Sequence, residues 1–377
     1  GTDTTCAGGG GIKHFFAAAT TPPYTVVGQA RTITWLECQN NKLTALDVTG
    51  CASLTTLYCY SNQLTALDVS KNTALTRLEC GNNQLTALDV SKNTALITLH
   101  CNNNRLDALD VSKHTALRNL SCSANQLTTL NLRANPALAS LYCHANQLAA
   151  LDVSKNTALT YLQCGSNPLG SLDVSKNTAL IALYCYYNQL TALDVRKNTA
   201  LTTLHCSNNQ LTTLNVTNNT ALTALDCSSN QLTALDISIN TALTTLSCGS
   251  NLLGTLDLSA NTALVSLNCG YNQLTALDLS ANPALDSVWC FQNQLTTLNV
   301  TNNTALKKLR IQTNQFDAAA LDALFNTLPT GADEKTVYIY NNPRSGGSPN
   351  AGTRDCDRSI AVGRGWTVND TATWNQN

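Results

Sequence analysis

Cysteine is the residue whose number and spacing could most directly support chemistry in this sequence. The 377 residues contain 16 cysteines. Thirteen of them recur at a constant spacing of 21 residues, at Cys38, Cys59, Cys80, Cys101, Cys122, Cys143, Cys164, Cys185, Cys206, Cys227, Cys248, Cys269 and Cys290. Thiols could form disulfides or bind a metal, but side chains at equivalent positions of stacked repeats run side by side and do not converge. We therefore expect buried free thiols that act as small apolar groups, and no metal site.

Three further cysteines stand outside this series. Cys51 occupies the position that is Asn72 and Asn93 in later repeats. It lies in the first repeat, next to the N-terminal segment that contains Cys6. In an oxidising compartment, a Cys6–Cys51 disulfide would fix that segment to the first repeat and leave Cys356 unpaired.

The other reactive residue types do not form a catalytic set. His100, His144 and His205 fall on different repeats, and no Ser/His/Asp set, carboxylate pair or phosphate-binding loop accompanies them. We therefore expect no enzyme and no cofactor. A periodic series of aspartates could bind calcium, but the series contains asparagine at Asn131, Asn215 and Asn299, which favours a hydrogen-bonding role in turns.

Composition excludes two other classes of protein. Only 12% of residues are charged and the net charge is −1, so the clustered Lys and Arg that bind nucleic acid are missing. No apolar run approaches the about 18 residues of a membrane-spanning helix. We expect neither a nucleic-acid partner nor a transmembrane segment.

The cysteines belong to a repeat that determines the architecture. One unit reads L-x-x-L-x-C-x-x-N-x-L-x-x-L-D-V-S-x-N-T-A, and about fourteen units follow one another. Each contains a short strand such as 56–59, in which Leu57 and Cys59 point inward and Thr56 and Tyr58 outward. A single unit cannot bury its leucines alone, but stacked units share one core.

This pattern resembles the leucine-rich repeat. Within that family, the 21-residue unit with cysteine at an inward position is similar to the cysteine ladder of internalin J and related bacterial surface proteins. The resemblance implies a repeat solenoid, a right-handed horseshoe or superhelix with a parallel β-sheet on the concave face and a β/turn-rich convex side. It also implies a bacterial protein that is extracellular or tethered to the cell surface.

The sequence predicts three segments. Residues 1–32 form an irregular or partly helical N-terminal cap, and residues 33–316 form the solenoid. Residues 317–377 form a C-terminal cap with a helix, a strand and a short closing element. Leu321, Leu324 and Phe325 share one face of the predicted helix.

Aromatic and histidine side chains concentrate at the outward strand positions of the concave face. Rigid aromatic rings among small polar residues are typical of binding surfaces. The candidate ligand-binding residues are Trp35, Tyr58, Tyr60, His100, Tyr142, His144, Tyr161, Tyr184, Tyr186, Tyr187, His205, Trp289 and Phe291. We expect a monomeric adhesin that binds a protein or a glycan on a host or neighbouring cell. The alternative is a passive spacer that presents another domain at the cell surface.

Overall fold

The 21-residue repeats fold as stacked turns, each with one short strand. The computed structural model describes residues 33–331, 334–339 and 350–369, together with the backbone of residues 4–6, 12–15 and 24–25. Tertiary contacts divide the chain into two units, Gly1–Leu190 and Thr191–Asn377.

The first unit is a solenoid with a mainly parallel sheet. Its strands are β1 (Thr4–Cys6), β2 (Ile12–Phe15), β3 (Tyr24–Thr25), β4 (Ile33–Glu37), β5 (Leu46–Asp47), β6 (Thr56–Tyr58), β7 (Arg77–Glu79), β8 (Thr98–His100), β9 (Asn119–Ser121), β10 (Ser140–Tyr142), β11 (Tyr161–Gln163) and β12 (Ala182–Tyr184). From β4 through β6 to β12, each strand pairs in parallel with the next. Leu57 lies opposite Leu78, and Leu78 opposite Leu99. One 21-residue repeat in the sequence is therefore one step across the sheet.

The second unit has the same pattern within itself and also contains two helices near its C-terminal end. Its strands are β13 (Thr203–His205), β14 (Ala224–Asp226), β15 (Thr245–Ser247), β16 (Ser266–Asn268), β17 (Ser287–Trp289), β18 (Lys308–Arg310), β19 (Lys335–Tyr338) and β20 (Trp366–Asn369), and its helices are α1 (Ala318–Thr327) and α2 (Arg358–Gly363). All consecutive strands of this unit pair in parallel. The predicted solenoid of stacked 21-residue turns is confirmed.

The core of each turn consists of leucines and one cysteine. Leu57 and Cys59 have no exposed surface, because alternate residues of a strand point to the same side. All thirteen ladder cysteines are buried and free, as predicted. Burial in an apolar core disfavours the thiolate, so it raises the pKa of Cys38 and of Cys164 to about 12.

Asparagines join neighbouring turns on the side that follows each strand. The Oδ1 of Asn62 accepts the backbone N–H groups of Asn41 and Leu43, both at 3.0 Å. Its Nδ2 donates to the backbone oxygens of Cys38 at 2.9 Å and Cys59 at 3.0 Å. One side chain thus satisfies buried backbone groups of two turns, which is the structural role the sequence predicts.

A second asparagine column lies on the opposite side of the turns. The Nδ2 of Asn72 donates to the backbone oxygens of Val48 and Cys51, both at 2.8 Å. The same pair of bonds recurs at Asn93 and at Asn156. These side-chain bonds hold the turns together where regular strand pairing is nearly absent. Within the described residues, the backbone pairing in this half of the repeat consists only of β3 with β5 and a single bridge between Asp194 and Asn215.

The aspartate series caps turns in this half of the repeat. The Oδ1 of Asp68 accepts the backbone N–H of Ser70 at 2.8 Å, and Asp89 bonds Ser91 in the same way. These hydrogen bonds lower the pKa of both carboxyl groups because they favour the charged form. The aspartates therefore act within their own turns, which is the hydrogen-bonding role that Asn131 in the same series indicates.

Cys51 takes the asparagine position in the first complete turn, and its side chain is fully buried. It has no disulfide partner among the described side chains. The side chain of Cys6 lies outside the described residues, so the Cys6–Cys51 disulfide stays a prediction.

The backbone of the N-terminal segment contains short strands where the sequence predicts irregular or helical structure. β2 pairs in parallel with β4, and β1 pairs antiparallel with β2. The first repeat would otherwise present unpaired N–H and C=O groups along its edge, and added strands satisfy them directly.

The C-terminal segment closes the core with bulky side chains. Asp317 caps α1 by accepting the Ala320 N–H at 2.7 Å, and Leu321, Leu324 and Phe325 are fully buried. Trp366 is 2% exposed, and its indole Nε1 donates to the backbone oxygen of Pro329 at 2.8 Å.

Candidate binding surface

We define the sheet face as the surface formed by two sets of side chains. These are the outward side chains of the strands and the side chain that follows each ladder cysteine. In the turn of β6 these are Thr56, Tyr58 and Tyr60. The predicted site residues of each unit lie on this face, either three residues or one residue before a ladder cysteine or directly after it. Tyr187 differs because it is the second residue after its cysteine, and it is 61% exposed. The remaining predicted site residues are half-buried.

Three aromatic rings cluster at the start of the first unit. The ring centres of Trp35 and Tyr58 are 5.4 Å apart, and those of Tyr58 and Tyr60 are 6.5 Å apart, both edge to face. The indole Nε1 of Trp35 donates to the carboxylate of Glu37 at 2.6 Å. These rings support one another and are held in place by a charged hydrogen bond.

Charged residues follow on the next two rungs. Arg77 and Glu79 form an ion pair at 2.9 Å, and His100 Nδ1 lies 3.7 Å from Glu79. The Arg77 guanidinium also lies 5.9 Å from the ring centre of Tyr58. Burial lowers the pKa of His100, and Glu79 opposes that shift. This part of the face separates the first aromatic cluster from the tyrosines of later rungs.

Five tyrosines form a second cluster, the tyrosine platform, comprising Tyr142, Tyr161, Tyr184, Tyr186 and Tyr187. The rings of Tyr142 and Tyr161 stack with centres 4.8 Å apart, and those of Tyr161 and Tyr184 are 5.4 Å apart. Burial and the neighbouring tyrosines raise the pKa of Tyr161. Adjacent rungs thus present one continuous aromatic area with several polar hydroxyl groups.

Tyr186 is held over a glycine. Its hydroxyl accepts a hydrogen bond from Gln163 Nε2 at 3.0 Å. A Cβ atom on Gly165 would lie 2.8 Å from the Tyr186 ring, so only glycine allows the ring to lie there. Gly270 provides the same space for the ring of Phe291 in the second unit.

Gly165→Ala is expected to displace the Tyr186 ring while leaving the fold intact. The ring is a side chain that can rotate away, so the cost in stability should stay near the about 1 kcal/mol of one hydrogen bond. Nitration of Tyr186 by tetranitromethane, followed by peptide mass spectrometry, should become faster in the variant. Gly170→Ala is the control because nothing lies within 4 Å of its added Cβ. Equal nitration rates in the wild type and Gly165→Ala would show that the glycine does not position the ring.

Tyr187 stands in an unusual backbone conformation. Its φ is 50°, and the equivalent residue of every turn from Ser61 to Thr313 also has a positive φ. This left-handed region is costly for bulky side chains. Only Tyr187 and Tyr271 place an aromatic ring there among the described residues, and both rings are largely exposed.

The predicted histidines His144 and His205 belong to different units. Burial lowers the pKa of His144, and its Nδ1 is buried without a hydrogen-bond partner among the described residues. His205 lies opposite Asp226 in the register of the second unit.

The second unit has two aromatic groups on its sheet face. Phe291 packs edge to face against Tyr271 with ring centres 5.0 Å apart. Trp289 packs under Arg310, whose guanidinium carbon is 4.6 Å from the indole centre and 4.8 Å from the ring centre of Tyr338.

Sequence reasoning missed several members of this surface. Gln163 and Gly165 carry no chemical signal on their own, and Tyr271 is two residues beyond its cysteine, outside the strand positions. Arg310 belongs to no sequence motif that marks a binding residue, and Tyr338 lies beyond the end of the periodic repeat. The aromatic residue type and the rung position would have identified Tyr271.

Three other observations concern the described residues. A cavity of about 360 Å³ on the other side of the first unit is lined by Leu130, Arg133 and Asp152 among others, and the last two form an exposed ion pair at 3.3 Å. In the described part of the chain, no group of three or more His, Cys, Asp or Glu side chains is arranged to hold a metal ion. Neither described helix has the length and apolar character needed to cross a membrane.

The fold has counterparts among solved structures. The functional domain of InlJ from Listeria monocytogenes, which includes a cysteine ladder, is 37% identical with a TM-score of 0.72, and the match covers 83% of this chain and 75% of that chain. The internalin InlF from L. monocytogenes is 25% identical with a TM-score of 0.67, covering 72% and 85%. The leucine-rich effector YopM from Yersinia pestis is 27% identical with a TM-score of 0.63, covering 75% and 78%. No protein-family model and no curated protein matches the chain.

Proposed function

Because this chain belongs to the leucine-rich-repeat proteins with a cysteine ladder, the group that includes InlJ, we propose that it is a protein-binding scaffold that engages its partner through the sheet face. The observation that carries this proposal is the tyrosine platform. Tyr161 lies between Tyr142 and Tyr184, with ring-centre distances of 4.8 and 5.4 Å. Such rings supply a large contact area that loses little conformational entropy on binding.

The platform is prepared for binding before a partner arrives. Ring stacking holds Tyr142, Tyr161 and Tyr184, and the bond from Gln163 holds Tyr186. Preorganised side chains reduce the ordering cost that association must overcome. The high exposure of Tyr187 supports a role in contact with a partner, because an exposed ring beside the stacked tyrosines offers apolar area that a partner can bury.

We further propose that the protein acts outside the bacterial cell, as an adhesin whose partner is a protein on a host or neighbouring cell. The buried free thiols are compatible with this location, because burial and a raised pKa keep thiols in their unreactive form. The core can therefore persist in an oxidising environment without disulfides.

The test is saturable binding of the intact chain to arrays of purified cell-surface proteins and of glycans. Replacing both Tyr161 and Tyr184 with alanine should weaken protein binding by about 100-fold, the effect expected of two central aromatic anchors. The matched control replaces Lys155 and Lys176 with alanine, because both are outside the sheet face in the same region of the first unit. That variant should bind like the wild type.

Other outcomes would redirect the proposal. Binding to glycans alone, lost in the tyrosine variant, would make the partner a carbohydrate. Undiminished protein binding by the tyrosine variant would remove the platform from the site. No saturable ligand on either array would favour the alternative of a passive spacer.

A further inference from the structure

The ring of Tyr186 lies flat on the backbone of the preceding turn. A Cβ atom added at Gly165 would lie 2.8 Å from Cε2 of this ring and 2.9 Å from both Cδ2 and Cζ. An edge-on ring could not bring three adjacent carbons so nearly equally close, so one face of the ring lies over Gly165. The opposite face points away from the backbone, and the bond from Gln163 Nε2 to the Tyr186 hydroxyl at 3.0 Å fixes the ring in this position.

Tyr187 adds a second ring at nearly a right angle to the first. The planes of the Tyr186 and Tyr187 rings are inclined at 85°, with ring centres 6.0 Å apart. Tyr187 stands at the positive-φ position of its turn, and its side chain is largely exposed. We call these two rings the aromatic corner, in which Tyr186 forms the floor and Tyr187 the wall.

The aromatic corner lies in an uncharged part of the sheet face. The sheet-face residues of β10, β11 and β12 include no Asp, Glu, Lys or Arg, and they are Ser140, Tyr142, His144, Tyr161, Gln163, Gly165, Ala182, Tyr184 and Tyr186. Burial lowers the pKa of His144, so this side chain is neutral at pH 7. A ligand that packs into the corner therefore meets aromatic surface and no fixed charge on these rungs.

Two kinds of saturated ring pack well on tyrosine, the pyranose of a glycan and the pyrrolidine of proline. A pyranose carries hydroxyl groups around its edge, and each one that loses water needs a hydrogen-bond partner. The nearby amide nitrogen of Gln163 is already bonded to Tyr186. Proline has no polar atom at the edge of its ring and no N–H to satisfy, so two aromatic surfaces match it better than they match a sugar.

Building on the proposed function, we propose that the aromatic corner binds a proline of an extended, proline-rich segment in the protein partner. Such segments adopt the polyproline II conformation before they bind, so binding orders them at little cost, and aromatic-lined surfaces recognise them. The pyrrolidine ring lies on the free face of Tyr186 and against Tyr187. The Tyr186 hydroxyl, which accepts the Gln163 N–H, donates its own proton to a peptide carbonyl of the segment.

The probe is a fluorescein-labelled decaproline peptide, titrated against the full chain by fluorescence anisotropy. It should bind saturably, whereas a Gly/Ser peptide of equal length should not. Tyr187→Ser should weaken binding about tenfold, as expected for truncation of a central aromatic contact. Serine suits this position, because Ser61 and Ser166 occupy it with positive φ in other turns. Val362→Ser is the matched control, since Val362 is also 61% exposed and lies in α2, outside the sheet face.

Gly165→Ala tests the floor of the corner without removing an aromatic residue. The added Cβ displaces the Tyr186 ring, so decaproline binding should again weaken about tenfold. Gly170→Ala should bind like the wild type, because nothing lies within 4 Å of its added Cβ. Circular dichroism of each variant verifies folding.

Three results would overturn the inference. Decaproline could fail to bind saturably, or either Tyr187→Ser or Gly165→Ala could bind it like the wild type. Alternatively, a cello-oligosaccharide could bind in a Tyr187-dependent manner while decaproline does not, which would make the corner a glycan site. The test of the proposed function is separate, because it alters Tyr161 and Tyr184. Weakened protein binding by that variant, with no decaproline binding by the wild type, would reject only the proline inference.

Discussion

Between pH 9 and pH 11 we expect the melting temperature of this protein to fall steeply under reducing conditions, because the ladder thiols stay protonated in the fold and ionise in the unfolded chain. Burial raises the pKa of Cys38, Cys101, Cys164 and Cys290 to about 12, from an ordinary value of 9.0. The other ladder thiols with a shifted pKa are shifted in the same direction, Cys59 and Cys80 among them.

The sign follows from proton binding. Below pH 9 the thiols hold their protons in both states, so they add no pH dependence. Above pH 9 the unfolded chain releases protons that the folded chain retains. The free energy of unfolding therefore decreases up to the raised pKa of the folded thiols, which is about 12 for Cys38, Cys101, Cys164 and Cys290. Each thiol contributes a slope that approaches about 1.4 kcal/mol per pH unit. A column of such groups makes this an unusually strong alkaline effect.

The control replaces Cys101 and Cys164 with valine. An aliphatic side chain is compatible with this position, because Ile311 occupies the ladder position in the last repeat and is fully buried. The free energy of unfolding of the double variant should fall less steeply above pH 9, because its unfolding releases about two fewer protons. An identical pH dependence in the variant and the wild type would assign the alkaline effect to other groups, such as the tyrosines.

Asn156→Ala is expected to destabilise the protein by about 2 kcal/mol, because it removes two buried hydrogen bonds between adjacent turns. The Nδ2 of Asn156 donates to the backbone oxygens of Leu132 at 3.0 Å and Asn135 at 2.8 Å. Urea-induced unfolding measures the loss. Lys155→Ala is the neighbouring exposed control and should change stability little. A midpoint for Asn156→Ala equal to that of the control would show that this column does not hold the turns together.

One repeat has a histidine in place of this asparagine, and restoring the asparagine there is expected to increase the stability of the protein. His114 takes the asparagine position, where its Nε2 contacts the Val90 oxygen at 3.1 Å and its Nδ1 is buried without a hydrogen-bond partner among the described residues. His114→Asn should restore a second bond, to the backbone oxygen of Asn93, and stabilise the protein by about 1 kcal/mol. A lower urea midpoint for this variant would contradict the assigned role of the column.

The solenoid is determined by the sequence itself. A 21-residue period places an apolar residue, leucine in most repeats, and a cysteine on the inward side of the strand in thirteen repeats, and only stacking at that same period buries them all. The register that sets Leu57 opposite Leu78 follows directly, and so does the burial of the thiols. The aromatic columns of the sheet face are visible for the same reason, because equivalent positions of successive repeats become neighbours.

Contacts between residues that the 21-residue period does not relate could be identified only from the tertiary structure. Gln163 reaches the hydroxyl of Tyr186 across a separation of 23 residues, and Arg310 meets Tyr338 after the repeat has ended. Periodicity specifies which residues share a rung or a column, because burial repeats with the strand. It does not specify side-chain rotamers, diagonal contacts or the path of the chain ends, because these depend on packing between residues that the repeat does not relate.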